Sequence, residues 1–207
     1  MEKLIFHHLR VGHLNTNCYV FGDAVSREVI VIDPGSRAGQ IKDLLDEEKA
    51  QVKAIINTHG HFDHIGANKR LHKITGAPIW IHQSDTTLPK SGLSGLLGEI
   101  AKYEKAQNYL VDGQEIHLGS LIIKVLHTPG HTPGGICLYC ENYLFSGDTL
   151  FRFSVGRSDL PGGNSASLLC SIKEKLLSLP DEVRVFPGHG SFSTIGEEKK
   201  HNPFLRS

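Results

Sequence analysis

The chain has 207 residues, 39% of them hydrophobic and 21% charged, with 22 lysines and arginines balanced by 22 aspartates and glutamates. This suits one globular domain, residues 1–207, with a core of ordinary size; a net charge near zero gives no electrostatic reason to expect nucleic acid or an anionic membrane as a partner. No apolar run reaches the roughly 20 residues that span a bilayer, and Met1-Glu2-Lys3-Leu4 lacks the basic and apolar regions of a signal peptide, so a cytoplasmic location is expected.

Phe6 to Val11, Cys18 to Phe21 and Val29 to Ile32 read as short strands. Asn15 and Asn17 flank the first turn, and Gly22-Asp23 opens the next. Val29-Ile30-Val31-Ile32 is β-branched throughout, as in a strand buried on both faces. It runs into Asp33-Pro34-Gly35-Ser36, leaving Asp33 at the carboxyl end of a central strand. An aspartate there either forms the turn or orients a metal-bound histidine. A helix is expected over about Ala38 to Lys49, with Ile41, Leu44 and Leu45 as its apolar stripe, followed by a strand from Val52 to Asn57.

Thr58-His59-Gly60-His61-Phe62-Asp63-His64 comes next, with three histidines and an aspartate in seven positions. Imidazole nitrogens and carboxylate oxygens are the donors that zinc and iron accept. His59 and His61 can converge on one ion from a bent loop, while Asp63 and His64 point toward a second. The stretch has no cysteine, which favours a catalytic site with open positions over a closed tetrahedral structural site.

A second helix is expected over about Ala67 to Thr75, stopping at Gly76, with His72 as an ordinary surface histidine. Pro78 to Ile81 is another strand, and the alternation implies βαβ crossovers in a layered α/β architecture. Residues 82–115 break this rhythm; Leu93, Leu96, Leu97, Ile100 and Tyr103 suggest one amphipathic helix there, either a lid or an outer helix. Strands follow at Leu121 to Leu126, Ile136 to Tyr139 and Tyr143 to Phe145, the last two as a hairpin turning at Glu141-Asn142. A helix over about Ser165 to Ser178 ends at Pro180, and Val183 to Phe186 is the last clear strand. Four cysteines, Cys18, Cys137, Cys140 and Cys170, fit reduced thiols. Cys137 and Cys140 form a C-x-x-C, but odd spacing on a strand sends them to opposite faces, so buried, unreactive thiols are expected.

Three further candidate ligands sit just past strand ends, each beside glycine: His131, Asp148 and His189. Open α/β sheets place their sites there. H-x-H-x-D-H followed by H, D and H resembles the signature of metallo-β-lactamase-fold hydrolases, and the likeness runs over nearly the whole chain. The resemblance implies a four-layer αβ/βα sandwich with the metal site at the strand ends. It implies that His59, His61 and His131 hold one metal, that Asp63, His64 and His189 hold the other, and that Asp148 bridges them. It also matches Asp33 to a carboxylate that orients a metal ligand. Two divalent ions, zinc by expectation with iron or manganese as alternatives, would activate a water for attack on a carbonyl. Asp63 or Asp148 would take up the proton.

Gly147-Asp148-Thr149-Leu150-Phe151, Gly156-Arg157 and Ser158-Asp159-Leu160-Pro161-Gly162-Gly163 resemble the glyoxalase II group, and most of all its short bacterial relatives. The reaction this implies is hydrolysis of S-lactoylglutathione or a related small-molecule thioester. The chain departs from full-length glyoxalase II at Arg157, where that group has lysine, and at Ser191, where it has tyrosine. It ends eighteen residues after His189, without the C-terminal helical domain that grips glutathione. Arg157 either pairs with a substrate carboxylate or forms a structural ion pair. Persulfide dioxygenases of the same fold, with one iron on the equivalents of His59, His131 and Asp148, are the alternative. A nuclease is disfavoured by the neutral charge.

Overall fold

The β-branched run ends up where its composition demands. In the computed structural model of the chain, which describes residues 4–86 and 106–206, Val29 to Ile32 are fully buried. They belong to β3 (Glu28–Ile32), in the middle of a sheet built in the order β1 (Leu4–Val11), β2 (Thr16–Asp23), β3, β4 (Gln51–Ile56), β5 (Ile79–His82) and β6 (Asn108–Leu110). The first three strands are antiparallel, and β3 to β6 run parallel. The parallel steps need crossovers, and two helices beside them are α1 (Ala38–Glu47) and α3 (Asn68–Thr75), with the single turn α2 (Phe62–Ile65) between. Gly76 closes α3 in the left-handed conformation, φ +72°, as its position after the last apolar residue foretold.

The second half supplies β7 (Glu115–Leu118), β8 (Leu121–His127), β9 (Ile136–Cys140), β10 (Tyr143–Gly147), the small ribbon β11 (Leu150–Phe151) and β12 (Ser154–Val155), then β13 (Arg184–Pro187) and β14 (Ser193–Thr194). Its large sheet has the order β14-β13-β10-β9-β8-β7, with only the β10–β13 pairing parallel.

Three apolar cores define four layers. Between the sheets, Tyr19, Phe21, Ile30 and Ile32 face Leu138, Phe145 and Phe186. Outside the first sheet, Ile41 and Leu45 of α1 and Leu71 of α3 pack on Val20, Val29, Val31 and Ile55. Outside the second, α4 (Ser165–Ser171) and the turn after it bring Leu168, Ile172 and Leu176 onto Leu144 and Val185. This is the αβ/βα sandwich. Cys137 packs in the outer core and Cys140 in the inner one, so the C-x-x-C does straddle the sheet; burial pushes both thiols up to about 11.

Local differences from the sequence reading have physical causes. The helix expected to Ser178 is α-helical only to Ser171, and Ile172–Leu176 form a π-helical turn. Leu168, Ile172 and Leu176 recur every four residues, an interval that drifts around an α-helix of about 3.6 residues per turn; the wider turn keeps all three buried. A helix not foreseen, α5 (Ile195–His201), opens on a reciprocal capping box between Thr194 and Glu197. β6, β7 and the β11–β12 ribbon were also passed over, being two to four residues long. The amphipathic helix expected around Leu93 to Tyr103 lies outside the described residues. Among the described residues no helix is long and apolar enough to cross a membrane.

Asp23 ties the two sheets together at the end of β2. Its Oδ1 accepts the Val25 and Ser26 N–H groups at 2.7 Å each, and its Oδ2 accepts the Ser120 hydroxyl at 2.6 Å and N–H at 3.1 Å from the β7–β8 turn. The Ser120 hydroxyl and these N–H groups hold the carboxyl well below the usual carboxylate range. A depressed folded pKa contributes stability above the unfolded value, about 3.9, and loses it as pH falls toward the folded one. Asp23→Asn is therefore expected to lower the thermal midpoint at pH 7, with a gap to wild type that narrows progressively below about pH 4. Calorimetry across that range checks it; a gap of constant size would contradict the assignment.

Candidate metal centre

Four strands of the two sheets end at one place. The loop after β4 carries His59 and His61, and α2 starts there, its single turn setting Asp63 and His64 inward. The β8–β9 loop brings His131, the end of β10 brings Asp148, and the end of β13 brings His189.

These side chains fall into two triads, in each of which the ligand-type atoms lie within 4.8 Å of one another. In the first, His61 Nδ1 is 3.0 Å from His131 Nε2, and the His59 ring centroid is 4.7 Å and 4.8 Å from those of His61 and His131. In the second, Asp63 Oδ2 is 3.2 Å from His189 Nε2 and 3.5 Å from His64 Nε2, and the two imidazole nitrogens are 3.2 Å apart. Asp148 stands between them. Its Oδ1 is 3.5 Å from His64 Nε2, and its Oδ2 is 3.5 Å from His131 Nε2 and 3.8 Å from His189 Nε2.

The far nitrogens of the rings are held from behind. His131 Nδ1 donates to the Arg157 carbonyl at 2.6 Å, and His189 Nδ1 to the Leu14 carbonyl at 3.1 Å. His64 Nδ1 donates to Asp33 Oδ2 at 3.0 Å. The Thr58 hydroxyl gives its proton to Asp33 Oδ2 at 2.6 Å, which leaves its lone pair for His59 Nδ1–H at 3.1 Å. With Nδ1 engaged from behind, Nε2 is the nitrogen that each of these four histidines turns to the centre, the one free to ligate once it carries no proton. Asp33 thus orients one histidine of each triad, directly and through Thr58.

The donor set fits divalent metal. His59 Nε2 and Asp148 Oδ1 are buried with no hydrogen-bond partner, an arrangement that is costly unless a cation completes it. Nitrogen and oxygen donors without thiolate suit zinc, iron or manganese. Burial and the neighbouring imidazoles push His59 well down, and the same causes bring His61 to about 4, so both are neutral near pH 7. Burial also works against a charge on His64, but the Asp148, Asp33 and Asp63 carboxylates outweigh it and raise its pKa to about 10. Burial likewise opposes ionisation of Asp63; the His189 hydrogen bond and the charges of His64 and His189 prevail and hold it well down. Backbone approach matters too: a Cβ on Gly188 would lie 2.2 Å from Asp148 Oδ1 and 2.7 Å from His64 Cε1.

Residues 11–189 match the family model described as the metallo-beta-lactamase superfamily. The chain belongs to that superfamily. A hydroxyacylglutathione hydrolase, GloC, from Haemophilus influenzae is 35% identical, over 92% of this chain and 93% of its own. Among solved structures, BLEG-1 B3 metallo-beta-lactamase superposes with a TM-score of 0.89 at 38% identity, covering 98% of this chain and 100% of that one. TTHA1623 in a di-iron-bound form gives 0.83 at 35%, covering 96% and 100%. ETHE1 from Myxococcus xanthus gives 0.81 at 30%, covering 96% and 83%.

Within this metallo-β-lactamase sandwich, the other expected site residue behaves differently from the ligands. The Arg157 guanidinium is exposed and already forked onto Asp159, Nε to Oδ1 at 3.0 Å and Nη2 to Oδ2 at 2.7 Å. What Arg157 brings to the centre is its carbonyl. Two residues important to the loops escaped the sequence reading. Asn17, read as a turn residue, is buried; its Nδ2 donates to the Pro187 and Gly190 carbonyls at 2.9 and 3.1 Å, on either side of His189. Asp85 is buried and accepts from Gly60, Thr132 and Gly134. It stands just past the carboxyl end of β5, the same kind of station that marked the other ligands.

Proposed function

We propose that the chain is a binuclear metallohydrolase of the glyoxalase II type, cleaving S-lactoylglutathione or a related small acyl thioester to a carboxylate and a free thiol. The observation that carries this is Asp148, with carboxylate oxygens directed at both triads. The likeness to GloC supports a hydroxyacyl thioester as the substrate class.

His59, His61 and His131 would hold one ion and Asp63, His64 and His189 the other, with Asp148 spanning them. Zinc is the metal we propose, with iron or manganese able to use the same donors. When bound, such ions lower the pKa of water from about 15.7 toward 7 and offset charge on a carbonyl oxygen. Asp63 or Asp148 would accept the proton of the attacking water; Thr16 donates to Asp63 Oδ2 at 3.1 Å. The leaving thiol, with a pKa of about 8.5, departs as thiolate without an acid. Arg157 would exchange Asp159 for a carboxylate on the substrate. Four free cysteines suit the reducing cytoplasm proposed as its location.

The likeness to ETHE1 supports a second reading, a mononuclear iron persulfide dioxygenase on His59, His131 and Asp148. A panel on metal-defined protein decides between them: lactoylglutathione, other acyl thioesters, lactones and a β-lactam, with oxygen uptake on glutathione persulfide in parallel. Thioester turnover with two ions per chain is expected. One iron per chain with oxygen consumption would sink the hydrolase reading.

A further inference from the structure

Asp85 belongs to neither triad, yet it reaches both loops that carry the first. It closes a short 3-10 turn, Gln83–Asp85, after β5 and is 1% exposed. Its Oδ2 accepts the N–H of Gly60, between His59 and His61, at 2.9 Å and the Thr132 hydroxyl, next to His131, at 2.7 Å. Its Oδ1 accepts the Gly134 N–H at 2.5 Å. The approach to the second loop is close enough to require glycine: a Cβ on Gly134 would lie 2.5 Å from Oδ1 and 2.7 Å from Cγ. All three partners are donors, so both oxygens must accept. An amide in the same place would set its NH2 against another donor.

The two loops come from different sheets, and His61 Nδ1 meets His131 Nε2 across the gap between them. Three lone pairs converge on one ion without reorganisation only if that gap is fixed. Asp85 spans it with its side chain, beside the Ile136 N–H that donates to the Thr58 carbonyl at 2.8 Å. The second triad is braced differently, His64 by Asp33 and the His189 loop by Asn17.

We propose that Asp85 is a positioning residue that sets the affinity of the His59–His61–His131 triad for its ion while leaving the Asp63–His64–His189 triad unaffected. This rests on the two-ion reading above. Losing a hydrogen-bond partner behind a metal ligand costs about 10- to 100-fold in metal affinity, and here the loss falls on two ligand loops at once.

The test adds cobalt(II) to metal-free wild-type, Asp85→Asn and Asn17→Ala protein in competition with a chromophoric chelator. Visible spectra and thermal midpoints are followed together. Wild type should take up two ions. Asp85→Asn should weaken one step by about 10- to 100-fold and leave the other within about twofold. Its spectrum at one equivalent should match that of His131→Ala, in which the first triad is broken. Asn17→Ala should spare that step. Equal weakening of both steps in Asp85→Asn, or of neither, overturns the proposal, because a merely structural residue would lower the thermal midpoint and both affinities in parallel. Should Asp85→Asn not fold, Thr132→Val removes one of the three donors and should give the same selective loss in smaller measure; an unselective loss overturns the proposal. Wild-type protein that binds fewer than two ions overturns the two-ion reading, and this inference with it.

Discussion

Asp148→Asn is expected to reduce turnover by at least about 10²-fold and to leave the purified protein short of metal. The exchange keeps the shape of the side chain and removes its charge. Asp148 is largely enclosed, its side chain 12% exposed, with three imidazole nitrogens between 3.5 and 3.8 Å from its oxygens. Oδ1 has no other hydrogen-bond partner. An asparagine there keeps one oxygen and replaces the other with an NH2 that has no lone pair to give a cation, so one triad or the other loses the carboxylate oxygen that faces it. Steady-state kinetics and elemental analysis of the same preparation make the measurement. Full occupancy with wild-type turnover would remove Asp148 from the bridging role.

Asp33→Ala should do the greatest damage to stability. Asp33 is 1% exposed and sits at φ +51°, a left-handed conformation that aspartate tolerates better than most side chains. Its carboxylate accepts the Thr58 N–H at 2.7 Å, the Thr58 hydroxyl at 2.6 Å and His64 Nδ1–H at 3.0 Å. Truncation strands all three donors. Breaking a buried pair by removing one partner costs about 3–5 kcal/mol, which for a chain of this size is a fall of about 6–20 °C in thermal midpoint. A pH signature accompanies it. His64 is raised in the folded metal-free protein, so its contribution is complete below the unfolded value of about 6.5 and is lost as pH climbs toward its folded one. Metal-free wild type should therefore lose midpoint between pH 6 and pH 9, and Asp33→Ala should lose less over the same interval. Parallel declines would show that Asp33 does not hold the His64 proton.

The sandwich and its ligands were legible because they depend on signals that are local. A β-branched run announces a doubly buried strand, and glycine beside histidine or aspartate at a strand end announces a ligand. Five of the seven converging side chains carry that mark, although the set is spread from His59 to His189. What escaped was set by contacts between distant segments. Asn17 looks like any turn asparagine until β13 delivers the Pro187 and Gly190 carbonyls to it. Asp85 carries no glycine beside it, and its partners lie 25 to 49 positions away. Arg157 was read for its charge, yet it is the backbone oxygen that meets His131. α5 is the exception: the Thr194 to Glu197 box was visible in the sequence, and only its short length hid it.

The first triad takes two side chains from the loop after β4 and the second takes two from α2, and each takes its third from the opposite sheet, His131 in one case and His189 in the other. Neither half of the chain owns a complete site. An ion seated in either triad is thus a rivet through the seam, and its binding free energy is drawn on whenever the halves begin to part. At a thousand times its dissociation constant, one such ion adds about 4 kcal/mol to the work of separation. Stripping the metal would therefore do more than silence the chemistry. It would loosen the joint between two half-sandwiches, so that catalytic competence and resistance to heat or protease rise and fall with the same occupancy.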